Sequence, residues 1–296
     1  MRIAITGAAG FVGRSVGVQL RKIAFEGTIR LLDRNPIGDA LGESIAIDLC
    51  DLEASARALD GIDRLLHLAS MPGLAAEADP AASRCINLDV SLGLIERMAG
   101  RRVIFASSIA VFGSSFGNQV DDETPAVPDS VYGTHKRMVE LFLSDAVRRG
   151  AISGMSVRLP GIVARPASAE GFGSAFLSDV FPAVRQGKAY TVPVARKATS
   201  WLMSGRTCAA NLVHALLSET SSIEPVNLPA VRVEMGELVT SAGRYGDARR
   251  IGFADDPAIR KRFAAHPPLT TANADRLGFR TDGTVDALVD SVFSDA

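Results

Sequence analysis

Near the N-terminus, Arg2-Ile3-Ala4-Ile5-Thr6 runs straight into Gly7-Ala8-Ala9-Gly10-Phe11-Val12-Gly13, and the residues that follow take on a helical period. A short β-prone run, glycines at 7, 10 and 13 and then a helix read as a strand, a tight turn and a helix. Each glycine has a task there: the turn itself, close backbone approach to a pyrophosphate, and packing of helix on strand. The helix N-terminus adds positive dipole and N–H donors. Twenty residues beyond Gly13 stands Asp33, at the end of the next β-prone run. A carboxylate there accepts hydrogen bonds from the adenine ribose hydroxyls and repels a 2′-phosphate, which favours NAD over NADP. Arg34 beside it acts the other way, because a guanidinium stacks on adenine or accepts that phosphate.

Outward from this turn, β-prone runs alternate with helical stretches, the sequence form of a parallel sheet covered by helices. Strands are predicted at Arg2–Thr6, Thr28–Asp33, Glu43–Ile47, Arg64–Leu68, Arg102–Ser107 and Gly154–Leu159, with helices at Val12–Ile23, Glu53–Leu59, Pro80–Ala99 and Ser130–Arg149. After Leu159 the alternation weakens, and Pro160, Pro166, Pro182 and Pro193 suggest loops and short helices. Helices are expected again at Pro257–Ala264 and Asp282–Phe293. The fold class is therefore α/β: a doubly wound parallel sheet (Rossmann fold) over residues 1–160 and a smaller C-terminal substrate lobe over 161–296. Val226-Asn227-Leu228 is expected to return to the sheet as a late strand.

Composition narrows the function. The 296 residues carry 32 Lys+Arg against 33 Asp+Glu, so no overall field attracts nucleic acid or an anionic membrane. No apolar run approaches the ~18 residues of a membrane span, and no cleavable leader is evident. Cys50, Cys85 and Cys208 are odd in number and without a C-x-x-C pair, which argues against a disulfide framework and for a reducing, cytoplasmic setting. The four histidines are far apart and form no metal motif.

Tyr132-Gly133-Thr134-His135-Lys136 places a phenol and an ammonium four residues apart, on one face of a helix. A tyrosine with its ordinary pKa near 10 is about 0.1% ionised at neutral pH, so its use as a base requires roughly 4 kcal/mol of stabilisation of the phenolate. One positive charge about 4 Å away at an effective dielectric near 20 supplies about that much. Upstream, the run Arg102–Ser107 ends in Ser107-Ser108, at the carboxyl end of a central strand where such sheets bind ligands; Ser108 is placed to orient the oxygen that Tyr132 deprotonates. Gly113-Ser114-Ser115-Phe116-Gly117 fits G-x-S-x-G, but it has no strand immediately before it and no helix immediately after, which argues against acyl hydrolysis.

Taken together, Gly7, Gly10, Gly13, Asp33, Asp48-Leu49, Leu66-His67-Leu68-Ala69, Asn87, Ser107-Ser108, Tyr132, Lys136 and Arg158-Leu159-Pro160 resemble the extended short-chain dehydrogenase/reductase superfamily (the NAD-dependent epimerases and dehydratases). The resemblance implies a homodimer with Phe11 and Val12 in the cofactor turn and Asp48 and Leu49 flanking the adenine. Leu68, Ala69, Ser70, Asn87, Ser107, Leu159 and Ile162 would lie along the rest of the cofactor, and Ser108, Tyr132 and Lys136 would form the catalytic group. The segments Val157–Pro166, Ser200-Trp201-Leu202-Met203-Ser204 and Leu277-Gly278-Phe279-Arg280 resemble the branch that oxidises D-erythronate at its 2-hydroxyl, and the Trp201 segment also resembles uronate-oxidising enzymes. Ile109 and Ala110 stand where dehydratases of the superfamily carry Asp-Glu, and Gly161 where nucleotide-sugar epimerases carry Asn.

The expected function is NAD-dependent oxidation of a small anionic sugar acid. An acid needs a cation, and bidentate geometry favours arginine: Arg158, Arg165 and Arg206 are the candidates, with Ser108, Ser174 and Trp201 as further contacts. The alternatives are a nucleotide-sugar epimerase that uses Tyr132 with a retained NAD, and a non-catalytic dinucleotide sensor, for which Ser108, Tyr132 and Lys136 would be superfluous.

Overall fold

Seven strands form one sheet in the computed structural model, which describes residues 1–38, 42–165 and 173–294; Pro166 lies outside the described residues. The first half of the chain runs β1 (Arg2–Thr6), α1 (Phe11–Lys22), β2 (Thr28–Asp33), β3 (Glu43–Ala46), α2 (Leu52–Ala58), β4 (Arg64–His67), α3 (Gly73–Ala78), α4 (Pro80–Ser83), α5 (Val90–Arg97), β5 (Arg102–Ser108), α6 (Val131–Arg148) and β6 (Ser153–Leu159). It continues with β7 (Gly161–Val163), α7 (Phe176–Arg185), β8 (Tyr190–Val192), β9 (Thr199–Ser204), α8 (Gly205–Leu217), β10 (Val226–Asn227), β11 (Val231–Glu234), α9 (Met235–Ala242), β12 (Ile251–Phe253), α10 (Pro257–Phe263), α11 (Ala272–Arg276) and α12 (Val285–Ser294). The large sheet has the order β10-β6-β5-β4-β1-β2-β3, and every pairing from β5 across to β3 is parallel. Its order reverses between β1 and β4, the point at which doubly wound sheets bind ligands beyond the strands' carboxyl ends.

The expected alternation is present, with one helix broken. The stretch 80–99 starts at Pro80 under an Asp79 cap, passes through a π-helical turn at Arg84–Asp89 and resumes as α5. The turn puts Asn87 in the interior, where its amide is fully used, as described below. Pro182 does not interrupt the chain but lies inside α7. Burial of Phe176, Leu177, Val180, Phe181 and Val184 on that helix outweighs the hydrogen bond that a proline forfeits.

The chain divides into two units, and they interleave. The first comprises Met1–Val111, Ser130–Arg158 and Ala209–Val226; the second comprises Phe112–Asp129, Leu159–Cys208 and Asn227–Ala296. Most of α8 thus groups with the first unit, although it follows residue 160 in the chain. Two arginines at the starts of adjacent strands account for this. Arg64 donates to the carbonyls of Leu216, Leu217 and Ser218, and Arg102 to those of Ala215 and Thr220. Together they satisfy the last carbonyls of α8, where cations complement the helix dipole.

In the first unit, Ala4, Leu32, Leu65, Val103, Phe105, Val139 and Leu143 share one core. In the second, β9 pairs parallel with β7 and antiparallel with β11, β8 pairs with β12, and Phe176, Leu202, Val233, Leu238 and Leu288 share another core. Cys50 and Cys85 are joined by a disulfide, while Cys208 is buried and free. An odd cysteine count excludes a fully paired set but not one bridge, so the expectation drawn from parity is corrected. No helix among the described residues is long and apolar enough to cross a membrane.

Two buried histidines couple the fold to pH. Burial holds His67 of the first unit and His266 of the second down to about 3, assisted by Lys136 and Arg232 respectively. Unfolded, each ring would protonate near 6.5, so the unfolded chain takes up protons first as pH falls. Stability is complete above pH 6.5 and is lost below it, by about 2 kcal/mol per histidine by pH 5. The urea midpoint should therefore drop sharply between about pH 7.5 and pH 5; equal midpoints would contradict neutral burial.

Candidate active site

The turn after β1 is as tight as its glycines suggest. Gly7 has φ +67°, and a Cβ placed on it would lie 2.7 Å from the Ala69 nitrogen. A Cβ on Gly13 would lie 2.5 Å from the Gly7 carbonyl oxygen, so α1 sits directly on the strand exit. Gly10 caps α1 without a side chain, and the first turn holds no acidic residue. Positive dipole and peptide N–H groups therefore face the carboxyl edge of the sheet with no carboxylate to neutralise them, as a pyrophosphate requires. Asp33 closes the far side: one carboxylate oxygen accepts the Ala9 N–H at 3.0 Å and the other the Asn35 N–H at 2.9 Å. These hydrogen bonds hold the carboxylate against the glycine turn. The residues present fit a dinucleotide.

Beyond β4, Thr6 Oγ1 accepts the N–H groups of Leu68 and Ala69. Its own proton is then available for His67 Nδ1, at 2.6 Å. His67 Nε2 donates to Ser91 Oγ at 2.8 Å, and Ser91 donates on to the Asn87 carbonyl at 2.9 Å. The neutral ring is thus a fixed tautomer between β1 and the π-helical turn. Asn87, expected beside the cofactor, is 1% exposed. Its Oδ1 accepts from Ser70 Oγ and the Met71 N–H, and its Nδ2 donates to the Met71 carbonyl and Ser83 Oγ. It shapes the chain at Ser70–Met71 from behind. Of the pair expected to flank the adenine, Asp48 Oδ1 accepts the Cys50 N–H and Leu49 is 8% exposed.

The catalytic candidates lie at the end of β5 and on the first turns of α6, two elements packed together. Ser130 caps α6 through the Gly133 N–H, and a Cβ on Gly133 would lie 2.4 Å from the Ala110 carbonyl oxygen. One turn on, Lys136 Nζ donates to the Ala106 carbonyl at 2.8 Å. Residues 133 and 136 thus touch the chain on either side of Ser108, and Tyr132 starts the same helical stripe. The Lys136 ammonium lies 5.5 Å from the Tyr132 ring centroid and 4.7 Å from that of Phe105. Burial pulls Lys136 down to about 7, against the Glu140 carboxylate, which holds it up. Ser108 Oγ accepts the Ala110 N–H.

The substrate candidates separate. Arg158 is 5% exposed and donates through Nε and Nη2 to the two oxygens of Glu140, at 2.8 and 2.9 Å; this committed ion pair corrects the expectation of a carboxylate-binding arginine. Trp201 is 0% exposed, stacked on His266 at 4.5 Å and bonded through Nε1 to the Pro267 carbonyl. It is packed inside the second unit. Arg165 and Ser174 come together in that unit, Nη2 to Oγ at 3.0 Å. Arg206 is exposed at the start of α8. Leu159 and Ile162 also fall in the second unit. Sequence reading missed Glu140, the buried acid four residues after Lys136, although the i, i+4 spacing was there to find. Among the described residues, no group of three or more His, Cys, Asp or Glu is gathered as a metal site.

Residues 3–205 match the NAD dependent epimerase/dehydratase family. A D-erythronate dehydrogenase of Cupriavidus necator is 31% identical over 100% of this chain and 99% of its own length. One of Haemophilus influenzae is 29% identical over 95% of each. A crystal structure of a nucleoside-diphosphate-sugar epimerase from Agrobacterium tumefaciens superposes with a TM-score of 0.89 at 28% identity, covering 100% of this chain and 94% of the other.

Gly7→Ala should cost about 2–3 kcal/mol, combining a strained backbone with a clash against Ala69. It should also weaken NADH binding at least tenfold. Thermal melting and NADH fluorescence titration check both; undiminished affinity would contradict close backbone approach at this turn.

Proposed function

The chain belongs to the NAD dependent epimerase/dehydratase family, and on that footing we propose that it is an NAD-dependent dehydrogenase of a small sugar acid, D-erythronate or a near relative. One observation carries the chemical part: a buried lysine, bonded to the β5 backbone, lies beside a tyrosine at the start of the same helix, with Ser108 between its points of contact. The full-length likeness to two D-erythronate dehydrogenases supports the substrate class. NAD supplies a ring that accepts hydride. Tyr132, as phenolate, removes the hydroxyl proton; Ser108 holds the same oxygen; Lys136 stabilises the phenolate by charge and would donate to the nicotinamide ribose. Gly7, Gly10 and Gly13 would hold the pyrophosphate, and Asp33 would accept from the adenine ribose and favour NAD over NADP.

With Arg158 committed to Glu140, Arg165 is the arginine carried forward for the substrate carboxylate, oriented by Ser174. Arg165→Met should raise KM for the acid about tenfold or more with a smaller change in kcat; an unchanged KM would move that role elsewhere.

NADH formation is to be measured with C4 to C6 aldonic and uronic acids. Turnover is expected with a four-carbon acid. No NADH from any acid, together with interconversion of a nucleotide sugar, would replace this reading with epimerase activity. Tyr132→Phe should lower turnover by about 10²–10⁴ while NADH affinity stays within about twofold; undiminished turnover would exclude Tyr132 as the base.

A further inference from the structure

Glu140 is 0% exposed, and all of its acceptor capacity is in use. Oε1 accepts from Ser107 Oγ at 2.5 Å and Arg158 Nε at 2.8 Å; Oε2 accepts from Arg158 Nη2 at 2.9 Å and Arg137 Nη1 at 3.1 Å. A buried ion pair of this kind adds little net stability over an apolar replacement, because desolvation consumes the Coulombic gain. Its place in the fold suggests another use. Tyr132, Lys136 and Glu140 lie one turn apart along α6. Lys136 holds β5 at Ala106 and Glu140 holds it at Ser107, the two residues that lead into Ser108.

We propose that Glu140 is a positioning residue: clamped by Arg158, its carboxylate fixes Ser107 at the end of β5 and keeps Lys136 in its ammonium form beside Tyr132. The inference rests on the roles given above to Tyr132 and Lys136. The groups facing Lys136 from each packed element leave this task to Glu140. From β4 comes His67, neutral and held down to about 3. From β5 come the Phe105 ring and the Ala106 carbonyl. On α6 stand Tyr132 and Glu140, with Arg137 engaged on Glu140; from β6, Arg158 faces that same carboxylate. Burial favours the neutral amine, and the negative charge that opposes it is Glu140's. Without that charge, Lys136 is neutral over more of the physiological range and no longer lowers the energy of the phenolate. Ser107, having donated its proton to Glu140, turns only lone pairs toward any other group.

The test reads Lys136 directly and needs no substrate. The chain has five lysines, so lysine labelled with 13C at Cε gives few NMR signals, and Lys136 is identified by the signal lost in Lys136→Met. In the wild-type chain its titration midpoint is expected at about 7. In Glu140→Gln, which keeps the shape and an acceptor for Ser107, the midpoint should fall by about one pH unit or more. Glu140→Gln leaves the Arg158 guanidinium without its anion and could fail to fold; the double variant Glu140→Gln/Arg158→Met removes both charges, and a smaller fall is expected there, because the loss of the Arg158 cation acts the other way. A midpoint unchanged in a folded variant overturns the proposal. If the wild-type chain reduces NAD with the acid, kcat of Glu140→Gln at pH 7 should drop at least tenfold with KM changed less than threefold, and an equal kcat overturns it as well. If the wild-type chain forms no NADH, the dehydrogenase reading fails while the NMR titration still decides the role of Glu140.

Discussion

The structure depends first on a steric constraint: α1 lies so close to the exit of β1 that there is no room for a methyl group at Gly7 or Gly13. That contact brings the N-terminus of α1 to the sheet edge with its peptide N–H groups uncovered, and it brings Ala69, at the exit of β4, against the same turn. β1 and β4 are neighbours across which the strand order reverses. A larger residue at either glycine would push the helix out and close the crevice that this reversal opens. The dinucleotide position is thus a consequence of backbone packing, and side chains such as Asp33 are added to it.

A directed hydrogen-bond chain extends that constraint into the interior. Thr6 receives two backbone N–H groups and passes its proton to His67; His67 donates to Ser91, and Ser91 to the Asn87 carbonyl. Asn87 in turn holds Met71 and Ser83, and Ser83 meets His135 on α6, between Tyr132 and Lys136. Buried polar groups are costly unless every partner is present. From Thr6 to His135 they are, so the cofactor turn and the helix that bears Tyr132 are joined by a polar thread with one satisfactory arrangement. The Glu140 and Arg158 pair does the same at the end of β5 with full charges in place of dipoles.

Local pattern carried much of this into the sequence. Arg2–Thr6 and Thr28–Asp33 are observed with the bounds that alternation predicted, and α6 differs by one residue at each end. Glycine spacing, the acid after the second strand and the Tyr-x-x-x-Lys interval are short-range features, each set by a turn or a helix period, so they can be read without knowing the fold. What could not be read depends on which distant side chain arrives. Arg158 reads as a candidate for the substrate carboxylate until Glu140 is placed against it. The packing of Trp201 on His266 and its bond to the Pro267 carbonyl join residues 65 and 66 positions apart. Cys50 and Cys85 read as unpaired until the loop before α2 and the π-helical turn meet.

The sequence by itself determined the βα turn and the doubly wound class of the first unit, and it singled out Ser108, Tyr132 and Lys136 as candidates, because each follows from backbone sterics or helical spacing within a few residues. Only the tertiary structure decided the division into interleaved units, the assignment of α8 to the first of them, and the separation of Arg158 from Arg165. Those outcomes turn on burial. An arginine's role is set by whether a carboxylate or carbonyl reaches it in a medium that cannot solvate it, and that partner lies 18 residues away for Arg158 and more than 100 for Arg64 and Arg102. No local pattern encodes such a distance, since the free energy that selects the partner is the cost of leaving a charge unpaired once the core has closed.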